Sequence, residues 1–236
     1  MLSTVLTVHE GLGAARRFPA LARIGPRVSA WEFAVLVLLG AAAAVVSVFV
    51  KDKLGVPGHN IVRVVFPLAL GLALVPRRGA ASVMGLSGMG AAMIFLLGGE
   101  RGLGAGAATS LVLTGLLLDL ALLGARSGPS VYLRLTLAGL AANAAAFLVR
   151  GGVKLLSGGL VDGHPLELWW PKAAVTYPLC GLLAGLISAA VWFRITARTS
   201  PKGDSPIFAA RKSGQSPREN RDSPRAKIAQ NDEAAR

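Results

Sequence analysis

The chain has 236 residues, of which 53% are hydrophobic and 29 are glycine, and its formal charge is +13. Its mean hydropathy of +0.57 is too high for a soluble domain of this size, so the composition predicts a polytopic membrane protein. One cysteine inside an apolar run and three widely separated histidines exclude a disulfide framework and a local metal motif, and we expect no cofactor. A phosphate-binding loop of the type GxxxxGK[ST] is absent, which excludes ATP hydrolysis by that route.

The positive charge is distributed along the chain as in membrane proteins. Ten Lys/Arg and five Asp/Glu follow residue 193, and much of the remaining charge lies in short segments between apolar runs. This distribution is typical of positive-inside topology signals, so it requires no nucleic-acid partner. A cytoplasmic N-terminus places ten Lys/Arg in the inner segments and six in the outer ones. We therefore expect a multi-pass protein of the inner (cytoplasmic) membrane with both termini in the cytoplasm.

Six apolar runs predict an all-α membrane protein with six transmembrane helices. The runs cover residues 30–50, 61–75, 80–97, 105–123, 131–149 and 173–193. Residues 1–29 mix apolar and basic positions and are predicted to be a cytoplasmic segment, with some capacity to lie along the membrane surface. The transmembrane domain spans 30–195. Residues 196–236 repeat Ser-Pro between polar and basic residues, a composition that predicts a disordered tail.

The most informative stretch places three polar residues at the start of the second apolar run. A Pro57-Gly58 turn precedes His59 and Asn60, and Arg63 follows His59 by four residues, so both lie on one helix face. A buried cation in a membrane costs about 2.5–3.5 kcal/mol on the insertion scale and is a functional candidate by default. One interpretation is a ligand-binding mouth. In the other, Arg63 snorkels to the headgroups and His59 caps the helix.

The predicted topology brings further polar side chains to the same outer side. The candidate substrate-binding residues are His59, Asn60, Arg63, Glu100, Asn143 and Tyr177. The pair Trp169 and Trp170 fits an interfacial aromatic belt better than a lid, and the following Pro171 marks the start of the last helix. The glycine-rich segment 150–172 is expected to include a flexible cover.

Two further patterns concern contacts between helices. Small residues four apart allow close helix approach, so Gly40 and Ala44, together with Gly85 and Gly88, are predicted to form a partner interface. The spacing alone does not say whether that partner is another helix of the chain or a second protein. Asp119 and Arg134 are predicted to form an ion pair on the inner side.

Six helices in about 165 residues, the PGHN turn with Arg63, and the continuation FPLALGLALVPRRGA resemble a substrate-binding (S) component of an energy-coupling factor (ECF) transporter. The resemblance covers residues 30–195. It implies that the protein captures a vitamin or metal precursor from outside and operates with a coupling transmembrane subunit and two ABC ATPases. It also implies that the ligand lies under the loop joining the first two helices, at His59, Asn60 and Arg63. The small-residue face at Gly40 and Ala44 would dock the coupling subunit.

Our leading hypothesis is therefore a non-enzymatic solute-capture component of an uptake transporter, surrounded by membrane lipids and binding a small-molecule solute. The sparse aromatic content, 6%, fits a small polar or anionic solute better than a flat vitamin. The alternative is a membrane scaffold or assembly protein without a ligand, in which Arg63 pairs with Glu100. A third hypothesis is a lipid-modifying enzyme with His59 as base and Asp119 as second group.

Overall fold

The structure is a computed structural model that describes residues 6–19, 27–50, 56–99, 105–156, 160–161 and 164–195. Glu100 and the predicted tail 196–236 lie outside these residues. The described chain is helical apart from one hairpin of two-residue strands. Its elements are α1 (Glu10–Ala15), α2 (Ala30–Phe49), α3 (Ile61–Leu74), α4 (Ala80–Leu97), α5 (Ala105–Leu122), α6 (Gly128–Leu156), β1 (Leu160–Val161), β2 (His164–Pro165) and α7 (Leu166–Trp192).

Four of these helices, α2, α4, α6 and α7, are long and apolar enough to cross a membrane. They confirm the all-helical, membrane-type fold predicted from composition. The described apolar parts of α3 and α5 are shorter. With 14 residues, α3 extends about 21 Å, which is less than the roughly 30 Å of a hydrocarbon core.

The last two long helices extend well beyond the apolar runs that predicted them. Helix α6 continues to Leu156 through Arg150, and α7 begins at Leu166, five residues before Pro171. The prediction that Pro171 starts the last helix is therefore wrong. Pro171 lies inside α7, where it has no N–H to donate to the Glu167 carbonyl. Much of the expected flexible cover is also helical, because 150–156 and 166–172 belong to α6 and α7.

Glycines set the closest approaches between helices. A Cβ at Gly40 would overlap the Met84 carbonyl, and one at Gly88 would lie 2.7 Å from the Gly40 carbonyl oxygen, so α2 and α4 meet backbone to backbone. Gly85 makes a similar approach to α5, since a Cβ there would lie 2.6 Å from the Leu111 carbonyl oxygen. Ala44 is fully buried on the same side of α2 as Gly40. In the structure, the predicted interface residues Gly40, Ala44, Gly85 and Gly88 pack within the chain, where close backbone approach holds α2, α4 and α5 together.

The N-terminal segment closes one end of the bundle. Leu6, Leu12 and Ala15 are buried, and short backbone pairings join Val8 to Arg77 and Arg16 to Phe193. The described residues 6–19 thus pack one face against the bundle, while Val8 and Phe18 remain exposed. We call this region, formed by residues 6–19, 76–79, 123–127 and 193–195, the N-terminal end. The end that carries Pro57–Asn60 is called the PGHN end.

A buried ion pair ties the N-terminal end together. Arg77 is fully buried and donates to both carboxylate oxygens of Glu32 at 3.0 and 3.2 Å. Its guanidinium also donates to the carbonyls of Leu6 and Arg27. Glu32 in turn completes a capping box with Ser29 at the start of α2. One arginine therefore joins the N-terminal segment, the start of α2 and the connection between α3 and α4.

Candidate solute site at the PGHN end

A buried asparagine holds the PGHN turn against the last helix. Asn143 of α6 is 2% exposed, and its amide donates to the Gly58 carbonyl at 3.0 Å and to the Tyr177 carbonyl at 2.7 Å. Gly58 has a φ of 85°, a left-handed conformation that favours glycine. A Cβ at Gly58 would lie only 2.9 Å from Cγ of Tyr177, so the turn packs directly on that ring. Asn143 and Tyr177, both predicted as site residues, are therefore brought together with the turn.

His59 carries one of two polar atoms at this end, the other being Oγ1 of Thr176, that are buried without a partner among the described residues. Its Nδ1 lies 2.6 Å from the Val56 carbonyl oxygen, and this contact requires the proton on Nδ1. The Nε2 atom is then an acceptor. It is buried and has no hydrogen-bond partner among the described residues. A buried acceptor without a donor is costly, and one at a predicted binding mouth indicates a place for a ligand hydroxyl, N–H or water.

Asn60 and Arg63 differ in exposure and in hydrogen bonding. Asn60 stands at the N-cap position of α3, yet its side chain is exposed and makes no capping bond. Arg63 is half-buried and donates to the carbonyl of Val50 at the end of α2. This bond joins the start of α3 to the end of α2. The alternative pairing of Arg63 with Glu100 lies outside the described residues.

An aromatic cluster with an arginine lies beside the turn and was not predicted from the sequence. Arg150 donates to the Tyr177 hydroxyl at 3.3 Å, and its guanidinium carbon lies 6.0 Å from the centre of the Trp169 ring, within cation–π range. Phe147 stacks on Trp169 at 5.7 Å and contacts Tyr177 at 5.6 Å. The signal was the spacing 143, 147, 150, which is one face of a helix. It was lost because the predicted helix ended at residue 149.

Phe147, Trp169, Trp170 and Tyr177 form one aromatic cluster at this end. Trp169 is 8% exposed and belongs to a small core with Phe147 and Tyr177. It is not a surface belt residue as predicted, although the neighbouring Trp170 is exposed. The described charged residues at this end are mostly positive. The basic residues are Arg63, Arg150, Lys154 and Lys172, and the acidic one is Glu167. An anionic group is electrostatically favoured at such an end.

Asp119 lies at the other end of the bundle from His59. Its carboxylate accepts from the Ser82 backbone N–H at 2.7 Å, from the Ser82 hydroxyl at 2.5 Å and from the Ala81 N–H at 3.3 Å. The carboxylate therefore caps the start of α4. The predicted ion pair with Arg134 is wrong, because Arg134 donates to the Ala121 carbonyl and the Ser130 hydroxyl. His59 and Asp119 cannot act on one substrate, since the length of α3 separates them.

Metal binding is not indicated by the residues that the structure describes, which contain no group of three or more His, Cys, Asp or Glu side chains able to hold an ion. Comparisons with protein-family models, with curated proteins and with solved structures each find no match.

Proposed function

We propose that the protein is the solute-capture component of an uptake transporter and binds a small anionic solute at the PGHN end. His59 accepts a hydrogen bond from the solute through Nε2. Arg63 and Arg150 supply the positive field, and Asn143 and Tyr177 hold the turn in place. Asn60 and Glu100 also belong to the set predicted from the sequence, but Asn60 is exposed and Glu100 lies outside the described residues, so the proposal gives neither a contact with the solute. The observation that carries the proposal is the buried Nε2 of His59 without a partner in the described chain, beside a turn that is otherwise fixed by hydrogen bonds.

In this proposal all six apolar helices cross the inner membrane and both termini are cytoplasmic. The PGHN end then faces outward, toward the solute supply, and the N-terminal end faces the cytoplasm. The exposed arginines of the N-terminal end support this orientation through the positive-inside rule. Transport would require a coupling transmembrane subunit and ABC ATPases as partners, because the chain has no nucleotide-binding loop of its own.

Purification from the native host tests the partner part of the proposal. The tagged full-length chain is extracted in mild detergent, and the co-purifying proteins are identified by mass spectrometry. Recovery of a second polytopic protein together with ABC-type ATPases supports the transporter assignment. Recovery of the chain alone, or with an unrelated envelope complex, contradicts it and favours the scaffold.

Solute binding is tested separately, with a matched pair of variants. Small molecules released by heat from the purified wild type, His59→Ala and Asn60→Ala are compared by mass spectrometry. We expect one anionic solute in the wild type and in Asn60→Ala, whose side chain is exposed, and a reduction of about tenfold in His59→Ala. The loss of one neutral hydrogen bond costs roughly 0.5–1.5 kcal/mol, and the upper part of this range accounts for the reduction. An empty wild type, or equal loading of all three proteins, contradicts the role of His59.

A further inference from the structure

A cleft of about 590 Å³ opens at the N-terminal end, away from the candidate solute site. It lies between α1 and the two connections that join α3 to α4 and α5 to α6. Arg78 comes from the first connection, Arg126 from the second, and Glu10 from the start of α1. We call it the arginine cleft.

The arginines of this end fall into two groups. Some are used by the fold: Arg77 pairs with Glu32, Arg17 donates to the Phe193 carbonyl at 3.1 Å, and Arg134 donates to Ala121 and Ser130. Arg78 and Arg126 are exposed, and within the described ranges their guanidinium groups have neither a hydrogen bond nor an ion pair. Both unused guanidinium groups line one cleft, which suits an anion with several acceptor oxygens.

The remaining polar groups of the cleft limit what it binds. His9 is buried, and its Nδ1 accepts from the Leu12 N–H while Nε2 lies 2.6 Å from the Leu122 carbonyl oxygen. Its ring is therefore fully engaged. Glu10 adds one exposed carboxylate, which opposes an anion. With two arginines against one glutamate, the cleft has an excess of one positive charge.

An apolar stripe leads from the cleft along the outside of the bundle. Leu116, Leu120 and Leu123 are 41, 62 and 49% exposed and follow one another by four and three residues, so they share a face of α5 and its end. Leu123 also lines the cleft. A free phosphate would bury none of this apolar surface, whereas a hydrocarbon chain would cover it.

We propose that the arginine cleft binds the headgroup of an anionic phospholipid, with an acyl chain lying on the Leu116–Leu120–Leu123 stripe. Arg78 and Arg126 bind the phosphate oxygens. Basic clefts between the ends of membrane helices bind such headgroups, and each basic residue near the surface contributes about fivefold in affinity. This inference is independent of the solute proposed for the PGHN end.

The experiment measures retention of phosphatidylglycerol against phosphatidylcholine by the purified full-length chain, using native mass spectrometry after exchange into detergent with equal amounts of both lipids. We expect the wild type to retain phosphatidylglycerol preferentially. The double variant Arg78→Gln/Arg126→Gln should lose roughly 25-fold in that preference, from two arginines at about fivefold each. Lys154→Gln/Lys172→Gln is the control, since it removes the same charge at the PGHN end and should leave the preference unchanged.

Two further measurements test whether the arginine cleft binds a lipid headgroup. Glu10→Gln removes the opposing carboxylate and should strengthen phosphatidylglycerol retention. Soluble glycerophosphoglycerol, which has the headgroup without chains, should compete at least tenfold more weakly than the lipid. Equal competition would show that the cleft binds a free anion, and equal loss in the lysine control would show a nonspecific charge effect; either result overturns the lipid site.

Discussion

The two ends of the bundle differ in the kind of polar contact that holds them together. At the N-terminal end, Arg77 is fully buried and all of its described contacts go to groups of the chain, among them Glu32 and the carbonyls of Leu6 and Arg27. At the PGHN end, the turn is held by Asn143, while the Nε2 of His59 remains buried without a partner in the described residues. The first end is closed by a buried ion pair, whereas the turn at the second end is held by neutral hydrogen bonds.

Arg16 shows that the N-terminal end is not uniformly satisfied. Burial lowers the pKa of its guanidinium from the ordinary value, and one of its terminal nitrogens is buried without a hydrogen bond among the described groups. Its backbone nevertheless pairs with Phe193, so the segment is held by main-chain contacts. Structural closure at this end thus depends mainly on Arg77 and on backbone pairing.

The largest effect is expected from breaking the buried ion pair. Arg77→Met leaves the Glu32 carboxylate buried without its cation, which costs about 3–5 kcal/mol. The measurement is the free energy of unfolding in mixed SDS micelles, followed by tryptophan fluorescence. The adjacent Arg78→Met is the matched control, because Arg78 is exposed and should change stability by no more than about 0.5 kcal/mol in lipid-free detergent.

A second variant sharpens the result. Replacing both partners, as Arg77→Met/Glu32→Leu, removes the uncompensated charge, and it should recover much of the lost stability. Recovery would be incomplete because Glu32 also caps Ser29. If Arg77→Met and Arg78→Met were equally mild, the N-terminal end would not depend on this pair and the contrast between the two ends would fail.

The next largest effect concerns the turn at the PGHN end. Gly58→Ala places a side chain in a left-handed conformation, at about 1–2 kcal/mol, and 2.9 Å from the Tyr177 ring, which adds about 1 kcal/mol more. Gly99 has a φ of 87° with open space around it, so Gly99→Ala carries the conformational cost alone. Unfolding free energies of the two variants are compared. Equal losses would mean that the turn does not pack on Tyr177 as tightly as the structure indicates.

Apolar patterns predicted the helices well where the helices are apolar throughout. The run at 80–97 matches α4 in both bounds, and the runs at 30–50 and 61–75 exceed α2 and α3 by one residue. The prediction failed for α6 and α7, whose ends contain Arg150 and Pro171. There the helices are stabilised by the contacts of Phe147 and Trp169 with each other and with Tyr177, which a one-dimensional pattern cannot contain.

Polar residues could be identified from the sequence, but their partners could not. From the sequence, Arg77 served only as one of the inner basic residues that set the orientation. Its burial could not be predicted, because Leu6, Arg27 and Glu32 contact it only in the folded chain. Asn143 and Tyr177 were predicted for the site from membrane depth alone. The hydrogen bond that joins them spans 34 residues, and the bond to Gly58 spans 85. Such long-range pairing is a property of the packed bundle.

The smallest expected loss of unfolding free energy comes from Asp119, and its variants distinguish helix capping from an ion pair with Arg134. The N-cap residue of α4 is Gly79, which has no side chain to cap the helix, and Asp119 of α5 supplies the carboxylate instead. Asp119→Ala should therefore cost about 1 kcal/mol of unfolding free energy, as for other lost caps, and Asp119→Asn less, since an amide oxygen still accepts. An ion pair with Arg134 would instead make the two residues energetically dependent on each other. A double-mutant cycle of Asp119→Ala with Arg134→Met separates the accounts: the capping role predicts losses that add to within about 0.5 kcal/mol, whereas a larger coupling would restore the ion pair.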